Sequence, residues 1–170
     1  KTECSMAVTI RKAGAADIAV ILSMQNDLAS EGAIWGYAAD SPREWNHRNL
    51  GWLFLAVDGC EPVGFIYCAE RPYQGECVFS EGSRILDIIE IYVRPQCRGA
   101  GVGRRMVDAV QSDAAASGFT HMRLYSAAKR FDDILAFYRG CGFAPWYLEM
   151  VKPIVVKQGA APDDCGAESL

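Results

Sequence analysis

The chain has 170 residues, 51% of them hydrophobic and 22% charged, which suffices for one ordinary core and falls short of two full domains. That composition excludes a largely disordered or collagen-like chain. A formal net charge of −4 excludes a global basic field for gathering nucleic acid, so such a role would require a local patch.

In chain order, residues 8–11 predict a short first strand. Asp17 then opens a helix whose stripe of Ile18, Ile21, Leu22, Met24 and Leu28 recurs at helical spacing and stops before Gly32. Residues 32–40, GAIWGYAAD, carry glycines and large aromatics without a period and read as a loop. Ser41, Pro42 and Glu44 form a capping box with proline at the first helical position, predicting a short helix through about residue 50. Residues 52–57 and 62–69 are apolar runs of strand length around Asp58-Gly59, an antiparallel hairpin with a four-residue connection. A polar loop with three glutamates follows to residue 84.

Residues 85–93, ILDIIEIYV, are the most strongly β-forming segment, almost continuously apolar as a central strand buried on both faces is. After a glycine-rich turn over residues 94–103, Val102, Met106, Val107, Val110 and Ala114 mark one face of a helix closed by Gly118. Residues 122–126 predict a strand, 132–139 a short helix, and 143–156 one or two closing strands. The order β-α-α-β-β-β-α-β-α-β implies an α/β chain with a mixed sheet covered by helices. The domain is expected over residues 8–155, with flexible tails at 1–7 and 157–170.

Seven cysteines, at 4, 60, 68, 77, 97, 141 and 165, form no C-x-x-C pair, and His47 and His121 do not complete a zinc set, so no metal is expected. Their odd, scattered count reads as reduced thiols in a cytoplasmic protein. The start has no apolar run of signal-peptide length, and no stretch approaches the roughly 18 apolar residues of a membrane helix. No membrane partner is expected.

The segment from Val93 to Arg105, VRPQCRGAGVGRR, joins the buried strand to an amphipathic helix. Free amides and the positive dipole end at such a junction solvate phosphate oxygens, and glycines let the backbone approach them. The ATP-type loop needs a Gly-Lys pair, which the chain lacks, and in the dinucleotide fingerprint the third glycine would come one residue later than Gly103. R-x-x-G-x-G does fit, at Arg98, Gly101 and Gly103. It follows Val93-x-Pro95, opens a helix, and precedes by about 35 residues A-F-Y-R-G-C-G-F, with Tyr138, Gly142 and Phe143 at Y-x-x-x-G-F spacing. On these motifs the chain resembles the GCN5-related N-acetyltransferases (GNAT family) over roughly residues 8–155.

That resemblance implies the GNAT acyl-CoA N-acyltransferase fold with a splayed central sheet, and acetyl-CoA as acyl-donor cosubstrate. Ile91, Tyr92 and Val93 would lie along the pantetheine arm, and Arg98, Gly99, Ala100, Gly101, Val102, Gly103 and Arg104 would take the pyrophosphate, mainly through main-chain N–H groups. Tyr138 corresponds to the tyrosine that protonates the leaving thiolate, with packing beside Phe137 as its other reading. Where the family often has asparagine seven residues earlier, this chain has Phe131, so that contact to the pantetheine arm is absent or supplied by Ser126.

A carboxylate within ILDIIEIYV is costly to bury unpaired, so it partners a cation or does chemistry. Glu90 is the chosen base, as the acid nearer the loop, against Asp87 or water. Their spacing of three places the two acids on opposite faces of a regular strand. For the acceptor, Trp35 and Tyr37 offer an aromatic wall and Glu31 belongs to an acidic stretch, which together suit a cationic amine; an ordinary surface loop is the competing reading.

The expected activity is direct acetyl transfer to a primary amine of a small cationic molecule. The alternatives are a protein or peptide N-acetyltransferase and a non-catalytic coenzyme A binding module. No nucleic-acid partner is expected, and a homodimer is compatible with the sequence.

Overall fold

The computed structural model describes residues 8–152. Strand β1 (Thr9–Lys12) leads through a short 3-10 turn into α1 (Ile18–Glu31), which buries Ile21, Met24, Gln25 and Leu28 and stops at Gly32, whose φ of 59° sets a left-handed cap. Helix α2 (Pro42–Trp45) opens on the Ser41/Glu44 capping box but lasts a single turn. It does not reach residue 50, because Asn49 accepts from Gly51 N at 2.9 Å and caps a separate 3-10 turn over Leu50–Trp52. Strands β2 (Leu53–Asp58) and β3 (Glu61–Arg71) form the hairpin, with Asp58 paired to Glu61. Its connection is therefore Gly59-Cys60 alone, shorter than the four residues expected, with Gly59 supplying a φ of 60°.

Next come β4 (Ile85–Val93), α3 (Val102–Ala116), β5 (His121–Leu124) and α4 (Phe131–Gly140). The sheet order is β1-β2-β3-β4-β5, antiparallel throughout except that β4 and β5 run parallel. β4 is thus an inner strand but not the central one, which is β3, and it is buried throughout only over residues 85–88, since Ile89 is 42% exposed where β5 no longer covers that edge.

Each face of the sheet has its own core. On one, Phe54, Ala56, Ile66, Cys68, Leu86 and Ile88 pack against Val102, Met106, Val107 and Val110 of α3. On the other, Leu53, Leu55, Phe65, Tyr67 and Tyr92 pack against Ile21, Met24 and Leu28 of α1 and Trp45 of α2. Fully burying one such aliphatic side chain stabilises by about 1.5–3 kcal/mol, so both helices are held by their apolar stripes.

The expected closing strands do not form within the described residues. From 143 to 152 the chain pairs with no strand, and Trp146, Tyr147, Leu148, Met150 and Val151 stand exposed. Residues 153–156, and the tails expected at 1–7 and 157–170, lie outside the described residues. No helix among the described residues is long and apolar enough to cross a membrane.

Candidate active site

Parallel pairing of β4 with β5 covers only four positions, from Ile85↔His121 to Ile88↔Leu124. Beyond that point β4 keeps its antiparallel partner β3 as far as Val93. Its other edge, residues 89–93, faces a gap. The chain leaving β5 turns to the 32–40 loop instead: Trp35 N donates to Ala127 O at 3.0 Å and Lys129 N to Ala33 O at 3.0 Å, around an Ile34↔Ala128 bridge. This diversion splays the sheet and leaves main-chain groups of residues 89–93 available to an extended arm. Ile91 and Val93 border the gap on the α3 side, while the Tyr92 side chain is buried on the α1 side.

At the far end of the gap is the glycine loop. Gly99 (φ 81°) and Gly101 (φ 76°) are left-handed, a conformation that costs other L-residues roughly 1–2 kcal/mol. The first α-helical bond of α3 runs from Arg105 N to Gly101 O at 3.1 Å. The amides of Val102, Gly103 and Arg104 therefore precede the intrahelical ladder and point outward at the positive end of a 15-residue helix. Free amides so arranged form a cradle that can solvate an anion. Gly103 has a second reason to lack a side chain, since a Cβ there would lie 3.1 Å from the Phe137 ring of α4.

Three of the four arginines in this segment brace the fold. Arg94 donates to Pro62 O at 3.1 Å and pairs with Asp27 at 3.3 Å. Arg98 donates to Val93 O at 2.8 Å and to both oxygens of Glu31, each at 2.8 Å, and Arg105 donates to Val8 O at 2.8 Å. Arg104, with a side chain 62% exposed and only a 3.9 Å contact to Asp108, is the one left open to a ligand. Glu31 also accepts from Tyr92 Oη at 3.0 Å, so it belongs to this brace beneath the loop.

The two carboxylates of β4 share one face, contrary to the alternation expected of a regular strand. Asp87 pairs with Ala69 and Glu90 with Tyr67, positions two apart on β3, so β4 carries one extra residue between them. A bulge at Ile89 restores both acids to the same side. Asp87 is consumed by a bidentate pair with Arg123, at 2.8 and 3.0 Å. Among the described residues Glu90 has no direct cation. Its Oε2 accepts from Gln25 Nε2 at 2.7 Å and its Oε1 accepts the Tyr37 hydroxyl. Burial pushes the Glu90 carboxyl above its usual range, the Tyr37 and Gln25 hydrogen bonds pull it back, and Asp40 and Arg48 act in opposite directions. Burial and the Glu90 bond raise Tyr37 strongly, so the phenol stays protonated and donates.

Of the two aromatics expected in the acceptor wall, Tyr37 reaches into this polar cluster through its hydroxyl. Trp35 is 47% exposed, with one ring face covered by Lys129 Nζ at 4.6 Å from the centroid.

Tyr138 projects from α4 into the core on the α3 side, with edge contacts to Phe137 (4.9 Å) and Phe143 (5.5 Å). Its hydroxyl makes no hydrogen bond to a protein group among the described residues, and burial raises its pKa. Glu90 and Tyr138 thus approach from opposite faces of the sheet, with the splayed edge of β4 between them. Phe131, at the start of α4, is exposed and offers no polar contact.

Sequence reasoning missed Gln25, Arg48 and Arg123, while Asp40 belongs to the acidic stretch it assigned to the acceptor side. Gln25 had a signal, because it sits within the buried stripe between Ile21 and Leu28, where a polar side chain must find partners.

Two cavities accompany these groups. One of about 930 Å³, with Phe119, Leu124, Ile134 and Phe143 in its lining, borders the C-terminal half of α3 and lies away from the glycine loop. The other, about 370 Å³, lies where β4 and β5 part, between Asp87, Ile89, Arg123 and Tyr125.

The model of the acetyltransferase (GNAT) family matches residues 21–143. An aminoglycoside N(6')-acetyltransferase type 1 from Stenotrophomonas maltophilia is 34% identical over 146 residues, 81% of this chain and 86% of the relative. Among solved structures, a transcriptional regulator from Bacillus halodurans C-125 shares the fold at 23% identity, covering 86% of this chain and 99% of that one with a TM-score of 0.67. Aminoglycoside N-acetyltransferase AAC(6')-Iy in complex with CoA does so at 18% identity, 86% and 94% coverage and a TM-score of 0.67.

Proposed function

Since the chain belongs to the GNAT family and is an N-acetyltransferase that uses acetyl-CoA, we propose that it acetylates a primary amine of a small cationic molecule by direct transfer, with Glu90 as base and Tyr138 as acid. Aminoglycosides, the class in the name of the 34% identical relative, are the first acceptors to try. The observation that carries this reading is Glu90 itself, a half-buried carboxylate on the splayed strand, held by two neutral donors and lacking a direct cation among the described residues. Each of its oxygens has a second lone pair, so both can accept from an incoming ammonium. Asp40 pairs with Arg48 at 2.9 Å, which leaves the cluster one negative charge in excess.

Acetyl-CoA supplies an activated acetyl thioester. The free amides of Val102, Gly103 and Arg104 and the cradle of Gly99, Ala100 and Gly101 would hold its diphosphate, and the open edge at Ile91, Tyr92 and Val93 its pantetheine arm, with Arg104 as the one available side-chain cation. Glu90 takes the proton that the acceptor ammonium must lose before the nitrogen can attack, and a carboxyl held by burial above its usual range is a better proton acceptor for that task. On the opposite face the Tyr138 phenol donates to the departing thiolate. The burial that raises the phenol also raises the proton affinity of a thiolate formed beside it, so the two stay matched.

Thiol-release kinetics with acetyl-CoA against aminoglycosides, polyamines and peptides tests the acceptor class. Turnover of cationic small amines with no turnover of peptides is expected; the reverse would replace this acceptor with a protein N-terminus or lysine. Tyr138→Phe should lower kcat by about a hundredfold and leave acetyl-CoA affinity within about twofold. An unchanged kcat would remove Tyr138 from the chemistry.

The proposal extends to a domain over residues 8–155 and a cytoplasmic location. Cys60, Cys68, Cys77, Cys97 and Cys141 are free thiols, the state a reducing compartment maintains.

A further inference from the structure

Gln25 is 1% exposed and sits in the middle of the apolar face of α1. A buried primary amide is costly unless its groups are partnered, and here they are. Nε2 donates to Glu90 Oε2 and to Asp40 Oδ2, both at 2.7 Å, while Oε1 accepts from Trp45 Nε1 at 3.3 Å. An indole N–H can only donate, so Trp45 fixes which end of the amide is oxygen and directs the NH₂ group toward the two carboxylates.

We propose that Gln25 is the positioning residue of the site, locking the Glu90 carboxylate in place and holding it ionised beside a second carboxylate. This rests on the reading of Glu90 as the base.

The surroundings show why a neutral double donor is needed. Glu90 is faced by Tyr37 and Asp40 from the loop, Arg48 from the segment after α2, and Tyr67 across the sheet on β3; Asp87, on the same face of β4, is held by Arg123. Asp40 is the nearby like charge, and a single nitrogen bonded to both acids brings their accepting oxygens within twice a hydrogen-bond length of each other. The charge of Arg48 goes to Asp40 at 2.9 Å, with its guanidinium over the rings of Trp45 and Tyr67. Among the described residues, the Gln25 amide is the one donor that bonds to both acids. It attracts both oxygens without supplying a cation that would cancel the excess negative charge an ammonium acceptor requires.

Gln25→Met keeps the length and apolar body of the side chain and deletes both donors. Glu90 then keeps Tyr37 alone and faces Asp40 without a bridge. Both changes disfavour the ionised form, so the acid limb of the kcat/KM profile should move to higher pH by about one unit. The KM for acetyl-CoA should stay within about twofold. Trp45→Phe, which frees the amide to rotate, should move the limb the same way by a smaller amount, and it carries the test if Gln25→Met does not fold.

The pH profile of Glu90→Gln separates the two claims. If its acid limb persists, Glu90 is not the base and this inference falls with that reading. If its limb disappears while those of folded Gln25→Met and Trp45→Phe coincide with the wild-type limb, Glu90 stands and the positioning role is overturned.

Discussion

Glu90→Gln should lower kcat/KM for the amine by about a hundredfold at neutral pH, abolish the acid limb of the rate profile, and make the folded protein more stable at that pH. The kinetic part follows from the proposed role of Glu90 as acceptor of the proton that the substrate ammonium must lose. The stability part follows from the direction of the carboxyl's shift. Burial raises its pKa in the folded state above its value in the unfolded chain, so between those two values the folded state binds more protons than the unfolded one. Stability then falls as pH rises through that window, and the charged form remains a cost above it. Glutamine accepts from Gln25 through its own carbonyl oxygen and carries no charge. Urea unfolding of both proteins at pH 4 and pH 8 should give a gain for the variant at pH 8 that shrinks at pH 4. A variant that is slower and less stable at pH 8 would mean that Glu90 is chiefly a structural partner of Tyr37 and Gln25.

The opposition between stability and activity at one residue explains how far the site could be read from the chain. Local patterns carried the frame: ILDIIEIYV could only be an inner strand, and a glycine-rich junction before an amphipathic stripe could only present free amides. Both depend on contacts within a few residues. The bulge at Ile89 depends on the register of β3 against β4 and leaves no mark in the composition of either strand. It is nevertheless what brings Asp87 and Glu90 to one face and lets Arg123 claim the first while the second stays open. The arginines show the same limit. Four of them lie in residues 94–105 with no acid among them, yet Arg94, Arg98 and Arg105 find their partners in Asp27, Glu31 and Val8, far away in sequence. Counting charges establishes their sum, and only the fold determines which remain unpaired. The segment 143–152 failed for a related reason. Its apolar content matches a strand, but strand formation needs an edge to join, and residues 143–152 join none.

Arg123→Met should destabilise the protein by about 3 kcal/mol, the lower end of the cost of leaving one member of a buried ion pair alone. Arg123 and Asp87 are direct neighbours across the parallel β4–β5 ladder, with side chains 10% and 7% exposed. That ladder is four residues long and ends one position further on, where the sheet splays. The bidentate pair therefore clamps the two strands immediately below the opening they must leave. Arg123 also holds Glu76 at 2.6 Å, tying the β3–β4 connection to the same point. Methionine would strand Asp87 with only Arg71 at 3.7 Å, and would free both the connection and the lower edge of the gap. Denaturant unfolding measures the loss. The double variant Arg123→Met with Asp87→Asn should recover most of it, because the orphaned charge is gone, while acetyl-CoA affinity stays reduced in both, since neither restores the clamp. A single variant within about 0.5 kcal/mol of the parent, the range of ordinary surface substitutions, would show that the splay is held open by the 33–35 and 127–129 backbone pairing alone.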